Sequence, residues 1–420
     1  MFDHPYIAPT PAYVATPEKR AQARKVADET IVLLKNDGIE GHGKLLPLGK
    51  SVKTVALVGP LADSQQDMLG SWSALGNPKD AITLRQALAE RLGSDHLLYA
   101  KGVEVLYGQD EVNLRHALGQ PETPVWDETK GIADAVAIAK KSDVVIMALG
   151  ESAVWMTGEA TSRADLNLPG HQEQLLEAVA ATGKPVVLVM FTGRPSTIPW
   201  AGKHIPAIVE AWFPGMEGGH AVADVLFGGV NPSARLTTSF PRAVGQEPLY
   251  YSQLPTGRPA HGDLNHLPAD SGEKYMSRYL DVNNSALYPF GWGLSYTTFR
   301  FSQPRLSQTE IAAAELKPGS SANVMVTASV TNIGSVAGTE VAQLYIRNTS
   351  ASVEQPVRVL KGFTRVTLQP GETRTVTFPL GFDELSFYNV QSQKVVEPTV
   401  YKIFVGGNSL ADLTTSLTVR

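Results

Sequence analysis

Four short apolar runs, 54–59, 143–149, 185–191 and 207–212, each stop at a polar loop marked by glycine or proline. Runs of that length rich in Val, Ile and Leu read as buried strands. Helical patterns stand between them, over 82–92, 131–141 and 220–227. A further one is opened by Pro169-Gly170 and carries Gln172, Leu175, Leu176 and Val179. Strand and helix alternating at this spacing require a mostly parallel sheet covered by helices on both faces, an α/β layer. Ligands of such layers bind at the loops leaving the carboxyl ends of the strands. Glu151 and Glu159, just past the run 143–149, therefore sit where chemistry is usually done.

Elsewhere the first half is less regular. Thr16-Pro17-Glu18 has the N-cap hydroxyl, early proline and acid of a helix start. Ala23, Val26, Ala27, Thr30, Leu33 and Leu34 follow at helical spacing until Asn36-Asp37-Gly38, so one helix is expected across that whole stretch. A weaker strand is expected near Val103. Residues 243–290 have no period and are rich in Pro, Gly, Tyr and Asn, which reads as long loops. From Phe299 the texture changes. Val324, Val326, Ala328 and Val330 alternate with polar residues, and further strands are expected over 341–346, 357–364, 373–380 and 400–405. Turn signals such as Pro370-Gly371 and Gly406-Gly407 separate them. Short strands so punctuated indicate a β-sandwich, and without a cysteine pair a fibronectin type III-like one. The expected division is an α/β domain over 21–242, loops and a joint over 243–297, and the sandwich over 298–420.

Composition excludes several functions. A net charge of −5 without any basic run argues against nucleic acid as a partner. The absence of cysteine rules out disulfides, thiolate nucleophiles and Cys-held metals. The nine histidines are scattered; His261 and His266 lie five apart without a second ligand pair, so no metal site is expected. No Gly-rich dinucleotide fingerprint, Walker loop or nucleophile elbow occurs, and no cofactor is expected. No stretch has transmembrane length, and the opening Met-Phe-Asp-His-Pro-Tyr is not a signal peptide, so no membrane partner is expected.

Cleaving a glycoside requires a protonated carboxyl to hand its proton to the leaving oxygen, opposite a second carboxylate. Glu159 is the candidate acid, with Gly158 before it giving the backbone freedom to aim it. From spacing alone, a solvated loop glutamate is the plainer reading. Glu151, close to the strand end, suits a substrate-holding role, and Arg163 suits clamping a carboxylate or a sugar hydroxyl. Asp63 and Asp67 fit sugar binding, but helix capping fits them better. Trp72, Trp155 and Trp212 stand near strand ends, where stacking on a sugar and packing in a core are equal readings.

Taken together, the motifs resemble a known family. Gly150-Glu151-Ser152, then Gly158-Glu159-Ala160-Thr161-Ser162-Arg163-Ala164-Asp165-Leu166, then Leu168-Pro169-Gly170 resemble the acid/base segment of glycoside hydrolase family 3, the β-glucosidase family. Also similar are 31–36, the loop 59–64 with Gly70-Ser71-Trp72-Ser73, 211–219, 225–233, and the joint Tyr288-Pro289-Phe290-Gly291-Trp292-Gly293. The similarity runs in order over essentially the whole chain, and among family members it looks like the bacterial periplasmic β-glucosidases. It implies an (α/β)6 sandwich followed by a fibronectin type III-like domain, and a retaining reaction in which an Asp attacks the anomeric carbon and a Glu, here matching Glu159, serves as acid and base. Glu151, Arg163, Asp63 and Trp155 would bind substrate.

In the family, the nucleophile sits in an N-terminal (β/α)8 barrel within a Ser-Asp-Trp-like motif. This sequence has neither, and Ser142-Asp143, followed by a valine run, reads as structural. Residues 1–20 then look like a linker from an absent barrel. The implied partners are a β-glucoside or oligosaccharide and a barrel domain or a second copy of the chain. The implied location is periplasmic or secreted, although the lack of an export signal leaves the cytoplasm open. The competing expectation is a non-catalytic carbohydrate-binding or regulatory remnant of such an enzyme. The face left by a barrel is expected to show aromatic residues such as Trp72, Trp155 and parts of 250–290.

Overall fold

The computed structural model describes residues 15–39, 43–74, 76–105, 116, 126–157, 162–259 and 275–420. The opening helix α1 (Pro17–Asp28) starts as expected, with the Thr16 hydroxyl accepting from the Lys19 N–H. It ends six residues before Leu34, the last position of the helical spacing, and Val32–Asn36 form strand β1. Ile31, Val32, Leu33 and Leu34 are each at most 1 % exposed. A surface helix buries one stripe, whereas four consecutive buried side chains need cover on two sides, which a strand inside a sandwich has.

Five further strands complete the sheet: β2 (Val55–Val58), β3 (Leu97–Ala100), β4 (Val144–Gly150), β5 (Val186–Phe191) and β6 (Ala207–Glu210). Their order is β1-β6-β5-β4-β2-β3, with β1 antiparallel to β6 and every other pairing parallel. The weak strand expected near Val103 is β3. The chain turns at Gly102, and Val103 is buried from that turn.

Alternation along β4 explains the layers. Val144, Ile146 and Ala148 join a core with α1, α3 (Leu84–Leu92) and α7 (Gly218–Leu226). Val145, Met147 and Leu149 join a second core with α4 (Glu128–Lys140), α5 (Gln172–Ala180) and α6 (Pro199–His204). A short helix, α2 (Gln65–Leu69), lies in the loop after β2. The sheet is thus sandwiched between helices and mostly parallel.

The second half is a two-sheet β-sandwich. Strands β7 (Phe299–Phe301), β8 (Arg305–Leu306), β10 (Val324–Asn332) and β13 (Thr373–Leu380) form one sheet. Strands β9 (Glu310–Ile311), β11 (Gly338–Asn348), β12 (Val359–Leu368), β14 (Thr399–Gly406) and β15 (Thr414–Val419) form the other. Inward residues such as Val326, Val330, Leu344, Phe378 and Ile403 interdigitate in a third core.

The two halves are joined by polar contacts of low exposure. Arg235 pairs with Glu340 at 2.6 Å, both side chains being 8 % exposed. The Gln343 amide donates to the carbonyls of Gly291 (3.1 Å) and Gly407 (2.6 Å). Tyr251, stacked on Phe290 with ring centroids 4.1 Å apart, accepts through its hydroxyl from the Leu360 N–H at 3.3 Å. Within the otherwise loop-like 243–290, the described residues hold only one short 3-10 turn, Val244–Gln246.

Candidate functional site

At the carboxyl edge of the sheet, β2 and β4 both stop at a glycine. Gly59 has φ +126 and Gly150 has φ +143. A Cβ on Gly59 would lie 2.2 Å from the Ala148 carbonyl oxygen, and one on Gly150 would lie 2.0 Å from that of Phe191. Glycine alone fits, because the backbone conformation and the close approach both exclude a side chain. Gly150→Ala is expected to cost about 2–6 kcal/mol, combining φ strain and overpacking of about 1–3 kcal/mol each. Urea unfolding checks this, and wild-type stability in the variant would contradict it.

Past Gly150 the chain is pinned from several directions. Gln172, fully buried at the start of α5, donates to the Gly150 carbonyl (2.9 Å) and accepts from its N–H (2.8 Å). The Ala153 N–H donates to Asp67 at 2.7 Å. Ser71, in the loop after α2, donates to the Ala153 carbonyl and bonds the Thr157 hydroxyl. Burial pushes the Asp67 carboxyl up, against the pull of its bonds to Ser64 and Ala153. Asp67 is therefore a brace between two loops.

Glu151 is 1 % exposed. Arg194, in the loop after β5, approaches it side-on, with Nη2 2.9 Å from Oε1 and Nε 3.2 and 3.3 Å from the two oxygens. Arg163 adds a contact of 3.3 Å and also donates to the Asn167 carbonyl at 2.8 Å. Three residues thus meet: Glu151 and Arg163, which the sequence singles out, and Arg194, which it does not.

Other candidates sit apart from this cluster. Asp63 is exposed and accepts from the Thr83 hydroxyl and from Arg85, each at 2.9 Å. The helix caps there are Ser64 and Thr83, so neither Asp63 nor Asp67 caps a helix itself. Trp155 is half-buried in the turn before Met156. Trp72 is 84 % exposed, while Trp212 is half-buried against Phe240, with φ +57. Tyr250, Leu254, Tyr275 and Leu280 are also exposed. Glu159, with Gly158, Ala160 and Thr161, lies outside the described residues.

The edge holds one more acid. Glu210 ends β6, is 0 % exposed, and accepts from the Trp212 N–H (2.9 Å) and the Thr192 hydroxyl (3.1 Å) through Oε1. Its Oε2 is buried without a partner. Burial raises its carboxyl well above the usual range, helped by the nearby negative charge of Glu151. Asp28 behaves similarly, moving from 3.8 to about 6 through burial and the neighbouring Asp224. A carboxyl so raised holds its proton more tightly in the folded chain. That stabilisation is full below the ordinary carboxylate range and is lost as pH rises through the raised value. Melting temperature is therefore expected to fall as pH rises from 5 to 8, for Asp28 mostly around its value of about 6. Glu210→Gln, which cannot ionise, is expected to flatten this slope; an unchanged slope would contradict the assignment.

Asp143 lies at the other edge, where its carboxylate accepts from the N–H groups of Lys53 (2.8 Å) and Thr54 (2.9 Å). Those backbone bonds, Thr54 first, hold it below the usual range. Eight residues of extended chain put it roughly 25 Å from Glu151. Among the described residues, no group of three or more His, Asp or Glu side chains is placed to hold a metal ion. No described helix is long and apolar enough to cross a membrane.

Comparison with known proteins agrees with this architecture. Residues 31–296 match the glycosyl hydrolase family 3 C-terminal domain, and 340–409 match the fibronectin type III-like domain. The chain is 43% identical over 398 residues to a periplasmic beta-glucosidase of Salmonella typhimurium, covering 93% of this chain and 48% of that protein. It is 39% identical over 413 residues to a beta-xylosidase of Formosa agariphila, covering 96% and 51%. A crystal structure of a beta-glucosidase from Listeria innocua in complex with glucose superposes with a TM-score of 0.83 at 37% identity, covering 100% of this chain and 52% of that one. The chain thus spans about half the length of the relatives it matches. It belongs to glycosyl hydrolase family 3, of which it carries the C-terminal α/β domain and the fibronectin type III-like domain that follows.

Proposed function

We propose that this chain supplies the acid/base half of a retaining β-glycosidase acting on terminal β-glucosyl or β-xylosyl residues. Glu159 protonates the leaving oxygen, then takes a proton from the water that releases the sugar. The attacking Asp belongs to a (β/α)8 barrel outside these 420 residues, in the same longer protein or in a partner. The observation that carries this reading is the match of the whole chain to about half of a beta-glucosidase solved with glucose.

The chemistry of the sheet edge supports it. Retention needs two carboxyl groups about 5 Å apart across one sugar. Glu151 and Asp67 turn both oxygens into internal bonds, Glu210 is fully buried with one oxygen bonded, and Asp143 is at the wrong edge. A nucleophile from elsewhere completes the pair. Glu151 and Arg163 brace the flanks of the segment bearing Glu159, and Asp63 and Trp155 are assigned to substrate binding. The periplasmic relative makes an exported protein the matching location.

The test is hydrolysis of p-nitrophenyl β-D-glucoside and β-D-xyloside by the chain mixed with a matching (β/α)8 barrel domain, against each part alone. Turnover only in the mixture is expected. Its absence, with both parts folded and bound to each other, would leave the non-catalytic carbohydrate-binding reading standing.

A further inference from the structure

We infer that Arg194 is a positioning residue that fastens both flanks of the segment carrying Glu159, with Glu151 as the buried anion that holds it in place. The catalytic purpose of this fastening rests on the acid/base reading above; the fastening itself does not.

A guanidinium offers five N–H donors in one rigid plane, and the contacts of Arg194 use all five. Nε and one Nη2 hydrogen reach Glu151. The second Nη2 hydrogen reaches the Met156 carbonyl at 2.8 Å. The two Nη1 hydrogens reach the Ser162 hydroxyl at 3.0 Å and the Arg163 carbonyl at 2.9 Å. Met156 precedes the segment 158–161 and Ser162 follows it, so one planar group grips both ends. Thr157 and Ser162 also form an antiparallel bridge. The flanks therefore cannot part without breaking bonds to a group whose other side is tied to a carboxylate only 2 % exposed.

Glu151 makes the arrangement stiff. A buried carboxylate must keep its partners, and its second one, Arg163, lies on the flank that follows the segment and bonds Asn167 further on. The cluster thus joins three separate stretches of chain: the exit of β4, the loop after β5, and the return from 162 to 167. Lysine would keep the charge but not the fork. Its three donors radiate from a single point and cannot reach Glu151, Met156 and Arg163 at once.

Two measurements on Arg194→Lys test this. In the chain alone, hydrogen exchange over 153–157 and 162–166 is expected to quicken at least about 10-fold, with strand β5 protected as in the wild type. Unchanged exchange at the flanks overturns the fastening. In the chain completed by a barrel, kcat/KM is expected to fall on the order of 10²-fold, the scale of loss from a misplacement of about 1 Å. The loss should be larger for phenyl β-D-glucoside than for 2,4-dinitrophenyl β-D-glucoside, whose leaving oxygen hardly needs the proton. Equal losses on the two substrates would show a merely structural role and overturn the positioning claim. Absence of turnover by the completed wild type overturns the acid/base reading, and the catalytic purpose of Arg194 with it, while the exchange result still decides the fastening.

Discussion

Glu159→Gln, in the chain completed by a barrel, is expected to lower kcat/KM for phenyl β-D-glucoside by about 10²- to 10⁴-fold, the usual worth of a positioned general acid. The amide keeps the shape and the hydrogen-bonding reach of the carboxyl but has no proton to give. The loss should therefore shrink for 2,4-dinitrophenyl β-D-glucoside, where departure needs no protonation. Water attack in the second step still needs a base, so the variant should accumulate glycosyl-enzyme on this activated substrate and show a burst. Equal activity of variant and wild type on the phenyl glucoside would remove Glu159 from the mechanism.

The second large effect lies at the joint between the halves. Arg235→Ala is expected to destabilise the protein by about 3–5 kcal/mol, because it leaves one member of a buried ion pair uncompensated. Burial already raises the Glu340 carboxyl, more than Arg235 pulls it down. Without the arginine, Glu340 will take up a proton, so the deficit should be smallest in acid and grow as pH rises through that raised value. Adding Glu340→Gln should recover part of the loss at neutral pH, since the charge that has to be buried is gone. Urea unfolding of the single and double variants at pH 5 and 8 measures both statements. A loss that does not depend on pH would show that Glu340 is not the source of the cost.

The strands covered on both faces were the most legible elements. Val144–Gly150 and Val186–Phe191 stand out because every residue in them is apolar or glycine, and the structure buries all of them. The sandwich strands were legible through alternation, and 373–380 has the expected bounds. Strand β1 was obscured because Leu33 and Leu34 continue, by coincidence, the spacing of the helix before them; only burial on both sides distinguishes the two. Strand β3, an edge strand of half-buried residues, and β15, mostly Thr and Ser, carry weak patterns for the same physical reason: few of their side chains enter a core.

At the site, local motifs exposed Glu151 and Arg163 but not Arg194, whose partners lie 31 to 43 positions away. The available signal was an arginine between Gly193 and Pro195 at a strand exit facing the exit of β4. Glu210 had a signal too, as an acid inside the otherwise apolar run 207–212. Its charge state, however, depends on neighbours that periodicity does not reveal. Asp63 and Asp67 show the limit of capping rules. The residue types suit a cap, but the hydroxyls of Ser64 and Thr83 take that role and leave the aspartates as braces.

The most direct measurement is hydrolysis of p-nitrophenyl β-D-glucoside by the purified chain alone, beside its Glu159→Gln variant. The division of labour proposed for this chain and an outside barrel requires no turnover above the variant. Turnover that Glu159→Gln abolishes would place a nucleophile within these 420 residues and contradict that division.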